Sequence, residues 1–306
     1  MIYTVTLNPA MDYFVALDSM NKGGVNRAAH DHKAPGGKGI NVSRVLKRIG
    51  HPSTALGFIG GFTGEYIKAN VEADGVHTSF IEISGDTRIN IKLKADMETE
   101  VNGVSPAIAA NDVAALEEQL TQLKPNDVVV FAGSVPPSLE TNVYAKWSKL
   151  LKDRGVSVFI DTSGKPLEEA VAAQPDFIKP NQHELAEFAG EAIDSLEAAV
   201  PHAKALVAKG IGHVFVTFAG DGALLATEQS ILLATTPKGT VKNSVGAGDS
   251  VVAGFIGATA EGMSLPEAFR FAVASGSATA FSTGFAERTT IEALMDEVAV
   301  TIYREG

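Results

Sequence analysis

A Gly-rich segment in the last quarter of the chain, residues 243–250, combines backbone freedom with one carboxylate. Gly246, Ala247 and Gly248 carry little or no side chain, so a ligand can approach the backbone closely. An apolar helical pattern follows, and the unsatisfied N–H groups of a first helical turn bind anions. Asp249 is then placed to take a proton from a hydroxyl group while a phosphoryl group arrives. The alternative is that Asp249 is only the N-cap of this helix, a position that Asp favours.

A second Gly-rich segment, residues 36–42, also opens a predicted helix. It carries Lys38 in the first turn, where a cation opposes the helix dipole, so binding to an anionic ligand would explain the residue. Asn41 lies one turn further on and is able to hydrogen-bond a sugar hydroxyl. A loop–helix junction with a solvated lysine is the alternative.

A third segment, residues 179–185, contains Asn181 and Glu184 at the spacing of a capping box. Residues 194–197 show the same spacing without any sign of chemistry, so local structure alone could explain it. The functional interpretation is that Glu184 organises Mg²⁺ and its water molecules near nucleotide phosphates.

Strand-like and helix-like segments alternate around these motifs. Residues 127–132, 156–160 and 214–218 are continuous apolar runs, which is typical of strands buried on both faces. Helical patterns ending at glycine cover residues 42–49, 142–154 and 196–209. This alternation predicts an α/β fold, with a mostly parallel sheet covered by helices on both faces.

Two stretches break the alternation. Residues 12–17 and 88–94 are strand-like, residues 25–34 and 98–101 join them, and no helix separates them from their strand-like neighbours. They predict a small antiparallel sheet that projects from the main body and is built from two insertions. Extra edge strands of the main sheet are the alternative.

Composition and absent motifs exclude several classes of protein. The chain is 45% hydrophobic and 20% charged, so it is globular and not disordered. A net charge of −11 argues against nucleic acid as a partner, and the absence of cysteine excludes disulfides and thiolate metal sites. The P-loop and dinucleotide fingerprints are absent. The apolar run 251–260 is too short to span a membrane and the first residues lack a signal-peptide pattern, so we expect a cytoplasmic protein.

Together the three motif segments resemble those of the PfkB-type carbohydrate kinases, a ribokinase-like family. The resemblance extends over the chain, through residues 6–12, 132–137 and Thr217 with 220–222. It favours the hexose-phosphate branch, which includes 1-phosphofructokinase and tagatose-6-phosphate kinase. Residues 86–94 and 98–102 look most like the bacterial 1-phosphofructokinases.

The resemblance implies a role for each matching residue. Asp249 would be the catalytic base, with an anion hole formed by Gly246, Ala247 and Gly248. The sugar contacts would be Asp12, Gly37, Asn41 and Ser134, and the contacts to the existing phosphate of the substrate would be Lys38 and Arg88. The nucleotide side would hold Lys179, Asn181, Glu184, Thr217, Gly222 and Gly248, and Glu184 would hold Mg²⁺ through water.

The resemblance also implies an architecture and a reaction. We expect one domain, 1–306, with a three-layer α/β/α core and a β-sheet lid built from residues 12–34 and 86–102, through which a homodimer forms. ATP and Mg²⁺ are the expected cofactors, and fructose 1-phosphate is the expected substrate. Tagatose 6-phosphate or fructose 6-phosphate is the alternative substrate, and a sugar-phosphate sensor without turnover is a third hypothesis.

Overall fold

The computed structural model describes residues 1–304, and its centre is a ten-stranded sheet in the order β14-β13-β12-β11-β10-β9-β8-β1-β4-β5. The strands from β5 to β11 in this order are all parallel to their neighbours, and β12, β13 and β14 continue the sheet in antiparallel pairs. The strands are β1 (Ile2–Thr6), β4 (Ser53–Ile59), β5 (His77–Glu82), β8 (Val128–Ala132), β9 (Ser157–Asp161), β10 (Phe177–Ile178), β11 (His213–Thr217), β12 (Ala223–Ala226), β13 (Ile231–Ala234) and β14 (Val300–Ile302).

Ten helices among the described residues cover the two faces of this sheet. One face carries α3 (Ala110–Thr121), α4 (Val143–Lys152), α5 (Lys165–Val171), α6 (Gln182–Ala189) and α7 (Leu196–Ala208). The other carries α1 (Lys38–Arg48), α2 (Gly61–Ala73), α8 (Ala247–Ala260), α9 (Leu265–Ala280) and α10 (Arg288–Met295). The predicted α/β class and the three-layer arrangement are confirmed.

The apolar runs of the sequence form the strands between these two helical layers. In β8, Val129 and Phe131 pack against the α3–α7 layer, and Val130 and Ala132 pack against the opposite layer. All four side chains are fully buried. A strand covered on both faces has no position for a polar side chain, which is why its sequence is apolar without alternation.

A second sheet of four strands has the order β3-β2-β6-β7. Its strands are β2 (Ala10–Ala16), β3 (His30–Gly36), β6 (Ile89–Lys94) and β7 (Glu98–Asn102). The prediction of a purely antiparallel sheet is wrong: the two outer pairs are antiparallel, but β2 and β6 pair in parallel. The chain between them passes through β3, α1, β4, α2 and β5, which is the long crossover that a parallel pair requires. The predicted strand at 25–34 begins only at His30 and ends at Gly36.

The carboxyl ends of the central parallel strands meet at one edge of the main sheet. The loops that leave this edge carry Asn8 after β1, Ser134 after β8 and Lys179 after β10, and Asp161 is the last residue of β9. Ligands of open parallel sheets bind outside such ends, so this edge is where a site is expected. No helix of the described part of the chain is long and apolar enough to cross a membrane.

Candidate active site

The Gly-rich segment 243–250 forms the start of α8. Gly246 is the N-cap residue with φ 79°, and the helix begins at Ala247, so Asp249 is the third helical residue. The alternative that Asp249 is an N-cap is therefore wrong. A side chain at position 246 would be strained by this φ, and its Cβ would overlap the ring of Phe285.

The first turn of α8 keeps backbone donors free. The N–H of Ala247 donates to the carbonyl of Ser244 at 3.2 Å, and the N–H of Ser250 donates to the carbonyl of Gly246 at 2.9 Å. Within residues 1–304, the N–H groups of Gly248 and Asp249 have no acceptor. Two adjacent free donors at a helix N-terminus form a site for an anion.

Asp249 is a buried carboxylate with one direct partner on α1. Its side chain is 5% exposed, and its Oδ2 accepts a hydrogen bond from Asn41 Nδ2 at 2.8 Å. Burial, and next the negative charge of Asp161, raise the pKa of Asp249 to about 6, against the lowering effect of Lys38 and Asn41. A carboxylate with this pKa is ionised at neutral pH, yet basic enough to accept a proton.

Asp161 is a buried charge that the sequence analysis missed. It is 1% exposed, and its Oδ1 lies 3.1 Å from Lys38 Nζ and 3.4 Å from Lys179 Nζ. Burial opposes ionisation, but these two ammonium groups lower the pKa of Asp161 below its usual value. The available sequence signal is an aspartate directly after the apolar run 156–160. This signal indicates a site only when the ends of the neighbouring strands are known.

Lys38 and Lys179 bring positive charge to the start of α8. Partial burial disfavours the charge of Lys38, but Asp161, Asp249 and Glu184 raise its pKa above the usual value for lysine. Lys179 Nζ lies 3.3 Å from the position that a Cβ on Gly248 would occupy. Lys179 therefore stands beside the anion site, and Lys38 remains charged.

Asn181 and Glu184 form the predicted capping box at the start of α6. Glu184 Oε2 accepts from the backbone N–H of Asn181 at 2.8 Å, and Asn181 Oδ1 accepts from the backbone N–H of Glu184 at 2.9 Å. The same spacing at 194–197 forms no such box, because Ser195 is the N-cap of α7. Asn181 also forms an isolated parallel bridge with Thr217.

Gly222 lies in the turn between β11 and β12, where it has φ 124° and its carbonyl accepts from the N–H of Phe218 at 2.9 Å. The turn follows directly on Thr217, the last residue of β11. The predicted nucleotide residues thus lie at the carboxyl ends of neighbouring strands, in the order β10, β11.

The residues predicted for the sugar lie around the loop after β1. Asn8 Nδ2 donates to Ser134 Oγ at 3.1 Å, and Arg88 Nη2 and Nε donate to the carbonyls of Asn8 and Pro9 at 3.0 and 3.4 Å. Burial raises the pKa of Asp12 in β2, and the nearby charge of Arg88 opposes this shift. The structure brings Arg88 and Asp12 together, whereas Lys38 is paired with Asp161.

Asp161 and Glu184 both carry carboxylate oxygens, the ligand type that a divalent cation prefers. Asp161 Oδ2 is buried and has no hydrogen-bond partner among the described residues, and Glu184 contributes a second carboxylate within electrostatic reach of Lys38. Mg²⁺ prefers such oxygen ligands and retains several water molecules or phosphate oxygens. Residues 1–304 contain no group of three His, Asp or Glu that could hold a metal alone, so phosphates or water must complete its coordination.

Three comparisons with known proteins agree. Residues 2–291 match the model of the pfkB family carbohydrate kinases. The chain is 51% identical over 301 residues to 1-phosphofructokinase from Bacillus subtilis (strain 168), covering 98% of this chain and 99% of the relative. It is 35% identical over 302 residues to D-tagatose-1-phosphate kinase from Bacillus licheniformis, covering 98% and 99%. Among solved structures, phosphofructokinase-2 from Escherichia coli in complex with substrates and products matches with a TM-score of 0.92 and 27% identity, covering 97% and 98%.

Proposed function

This chain belongs to the pfkB family of carbohydrate kinases, and we propose that it transfers the γ-phosphoryl group of ATP to the 6-hydroxyl of fructose 1-phosphate. The products are fructose 1,6-bisphosphate and ADP. The observation that carries the proposal is the buried carboxylate of Asp249 beside the free N–H groups of the α8 start. The choice of sugar follows the Bacillus subtilis relative, a 1-phosphofructokinase that is 51% identical.

Asp249 is the general base in this proposal. It accepts the proton of the attacking hydroxyl as the oxygen–phosphorus bond forms and the bond to the ADP oxygen breaks. The hydrogen bond from Asn41 Nδ2, 2.8 Å long, occupies Oδ2 and leaves Oδ1 to meet the hydroxyl. Because its pKa is about 6, the carboxylate is in the basic form at neutral pH.

The start of α8 stabilises the charge of the transferred group. The free N–H groups of Gly248 and Asp249 donate to phosphoryl oxygens, with Gly246 and Ala247 shaping the turn that presents them. Lys179 adds a fixed positive charge beside Gly248. Lys38 is within electrostatic reach of both Asp249 and Glu184, so its ammonium group faces the reacting centre as well as the sugar phosphate.

Arg88 is the cation best placed for the existing phosphate of the substrate. Its planar group of donors suits phosphate oxygens, and it is already oriented by the carbonyls of Asn8 and Pro9. We assign the sugar hydroxyls to Asp12, Asn41 and Ser134, with the backbone of Gly37 beside them. These residues come from both insertions and from the main sheet, so the small sheet acts as a lid over the sugar.

We assign the nucleotide to Lys179, Asn181, Thr217 and Gly222, at the ends of β10 and β11. Glu184 and Asp161 would hold Mg²⁺ together with water and nucleotide phosphates. When bound, the ion neutralises charge on the β- and γ-phosphates. The capping box already fixes the orientation of the Glu184 carboxylate.

The exposed face of the lid supports a homodimer. Ile89, Ile91 and Val101 are 37%, 39% and 55% exposed, and Ile91 and Val101 are directly paired across β6 and β7. An exposed group of apolar side chains on one sheet face is a candidate contact surface for a second copy. We infer that two copies pair through these faces and that the enzyme works in the cytoplasm.

D-Tagatose 1-phosphate is a second candidate substrate, because the Bacillus licheniformis relative, which is 35% identical, is a D-tagatose-1-phosphate kinase. Tagatose 6-phosphate and fructose 6-phosphate require the phosphate and the reacting hydroxyl to exchange positions. A sensor without turnover would need neither the base nor the anion site, so the presence of both argues against it.

An ADP-release assay with this panel of four sugar phosphates tests the proposal. We expect the highest kcat/KM with fructose 1-phosphate, and release of ADP only when a sugar phosphate is present. A higher kcat/KM with either 6-phosphate would refute the assignment of the substrate. No release with any of the four would refute the proposed reaction.

A further inference from the structure

Asn90 is a buried polar residue in the lid that neither the motifs nor the proposed reaction has used. It lies in β6 between Ile89 and Ile91, which are exposed on the outer face, whereas Asn90 is only 6% exposed. Its side chain is therefore on the inner face of the small sheet. A buried amide needs partners for both its oxygen and its nitrogen.

Both ends of the Asn90 amide are occupied. Its Nδ2 donates to Asp12 Oδ1 at 3.0 Å, and its Oδ1 accepts from the backbone N–H of Gly103 at 3.2 Å. The reversed orientation would place oxygen against the carboxylate of Asp12 and NH₂ against an N–H. The amide thus has one favourable orientation, which points its donor at Asp12.

The backbone fixes the same arrangement. Asp12 and Asn90 are directly opposite each other in the parallel pair of β2 and β6. The close approach of Gly103 to β6 requires glycine, because a Cβ there would overlap the carbonyl oxygen of Ile89. On the other side of Asp12, a Cβ on Gly36 would overlap Oδ2 of the carboxylate.

The bond to Asn90 also affects the charge of Asp12. Burial raises the pKa of Asp12, the bond from Asn90 lowers it, Lys92 and Arg88 lower it further, and Glu100 raises it. The net shift is upward. Asn90 therefore helps to keep the carboxylate ionised, and its use of Oδ1 leaves Oδ2 to accept from a ligand hydroxyl.

We propose that Asn90 is a positioning residue, which holds the Asp12 carboxylate in the orientation that binds the sugar hydroxyls of the substrate. This inference rests on the proposed function, because it takes Asp12 as a sugar contact. Asn90 itself acts through Asp12, and the hydrogen bond from the N–H of Gly103 holds the amide of Asn90 in its orientation.

The test measures the dissociation constants of fructose 1-phosphate and of ATP separately, by titration calorimetry. Asn90→Leu removes both hydrogen bonds and retains the branching at Cγ. Because Asn90 acts on the ligand only through Asp12, we expect weaker binding of fructose 1-phosphate, by no more than the 10- to 150-fold (about 1.5–3 kcal/mol) that a bond to a charged group is worth, and no change for ATP. Asn102→Ala is the matched control, because Asn102 is opposite Asn90 in β7 but exposed. It should leave both constants unchanged.

Asn90→Asp separates positioning from general damage to the sheet. Two facing carboxylates repel each other, but a shared proton restores a donor to Asp12, so the ratio of the variant and wild-type constants should fall towards one as the pH is lowered from about 8 to about 6. Comparing ratios cancels the titration of the sugar phosphate itself. The pH dependence of Asn90→Asp tests the positioning role even if Asn90→Leu does not fold.

An unchanged constant for fructose 1-phosphate in folded Asn90→Leu would overturn the inference, and so would an equal loss in Asn102→Ala or a ratio for Asn90→Asp that does not change with pH. Each leaves the proposed function intact, provided that the wild type binds and phosphorylates the sugar. A wild-type protein that binds no sugar phosphate would overturn the proposed function and this inference together.

Discussion

Replacing Asp249 with asparagine should abolish most of the activity and make the protein more stable at neutral pH. The amide has the shape of the carboxylate and can still accept the hydrogen bond from Asn41 Nδ2. It cannot accept a proton from the sugar hydroxyl. Loss of a general base costs about 10²–10⁴ in rate, so we expect kcat to fall by this factor while the affinity for ATP is unchanged.

The gain in stability follows from the burial of the carboxylate. Its pKa rises from the ordinary value of 3.8 to about 6 in the folded protein. In the pH range between these two values the unfolded chain loses the proton while the folded protein retains it, so the free energy of unfolding falls as the pH rises. A shift of this size corresponds to about 3 kcal/mol. The Asp249→Asn variant has no buried charge at this position. The difference in free energy of unfolding between the variant and the wild type should therefore be absent below about pH 4, grow up to about pH 6 and then stay constant.

Two measurements on one pair of proteins check these expectations. Urea unfolding of the wild type and Asp249→Asn across this pH range gives the difference in stability, and ADP release gives kcat. Asn243→Ala serves as a control variant near the same turn, since Asn243 is half-exposed and its side-chain oxygen accepts a hydrogen bond from the N–H of Val245 within the same loop. A variant with wild-type turnover would refute the assignment of the base. A stability difference that does not change with pH would refute the argument from burial.

Other substitutions test the remaining parts of the site. In Arg88→Ala we expect a KM for fructose 1-phosphate raised by about 10- to 150-fold with the KM for ATP unchanged, and an equal loss for unphosphorylated fructose would contradict the assignment. In Lys38→Ala we expect the KM for fructose 1-phosphate to rise and kcat to fall. A higher KM with an unchanged kcat would mean that Lys38 contacts only the existing phosphate of the substrate. Gly246→Ala forces a side chain against Phe285 at φ 79°, so turnover should fall by about 10²-fold, and unchanged turnover would contradict the role of the turn. Glu184→Gln retains the capping box, so the melting temperature should be unchanged while the Mg²⁺ requirement moves to higher concentration; overlapping Mg²⁺ curves would leave Glu184 as a helix cap only.

The sequence predicts the parts of this site that have a local signature. A Gly-rich turn before an apolar helical run indicates the start of α8, and the spacing of Asn181 and Glu184 indicates the capping box that the structure contains. The sequence pattern leaves two positions open for Asp249 within α8, because Gly246 and Asp249 are both residue types found at the start of helices. Only the observed φ of Gly246 shows which of the two is the N-cap.

The parts that the sequence did not predict depend on distant chain segments. Asp161 and Asn90 are single polar residues in strands, and each becomes informative only when Lys179 or Asp12 lies beside it. The parallel pairing of β2 and β6 is of the same kind, since either direction of pairing is compatible with the same alternation of residues in each strand. Local pattern defines the strands, and tertiary structure defines their partners.

Phosphorus NMR of the complete reaction tests the central claim most directly, because it identifies the bond that is formed. The protein is incubated with ATP, Mg²⁺ and fructose 1-phosphate, and the spectrum is compared with that of a reaction containing Asp249→Asn. With the wild type, we expect the γ-phosphate signal of ATP to be replaced by a second sugar phosphate ester on a CH₂ group, while the original ester remains. Appearance of inorganic phosphate without a new sugar ester, or the same product from Asp249→Asn at the same rate, would contradict the claim.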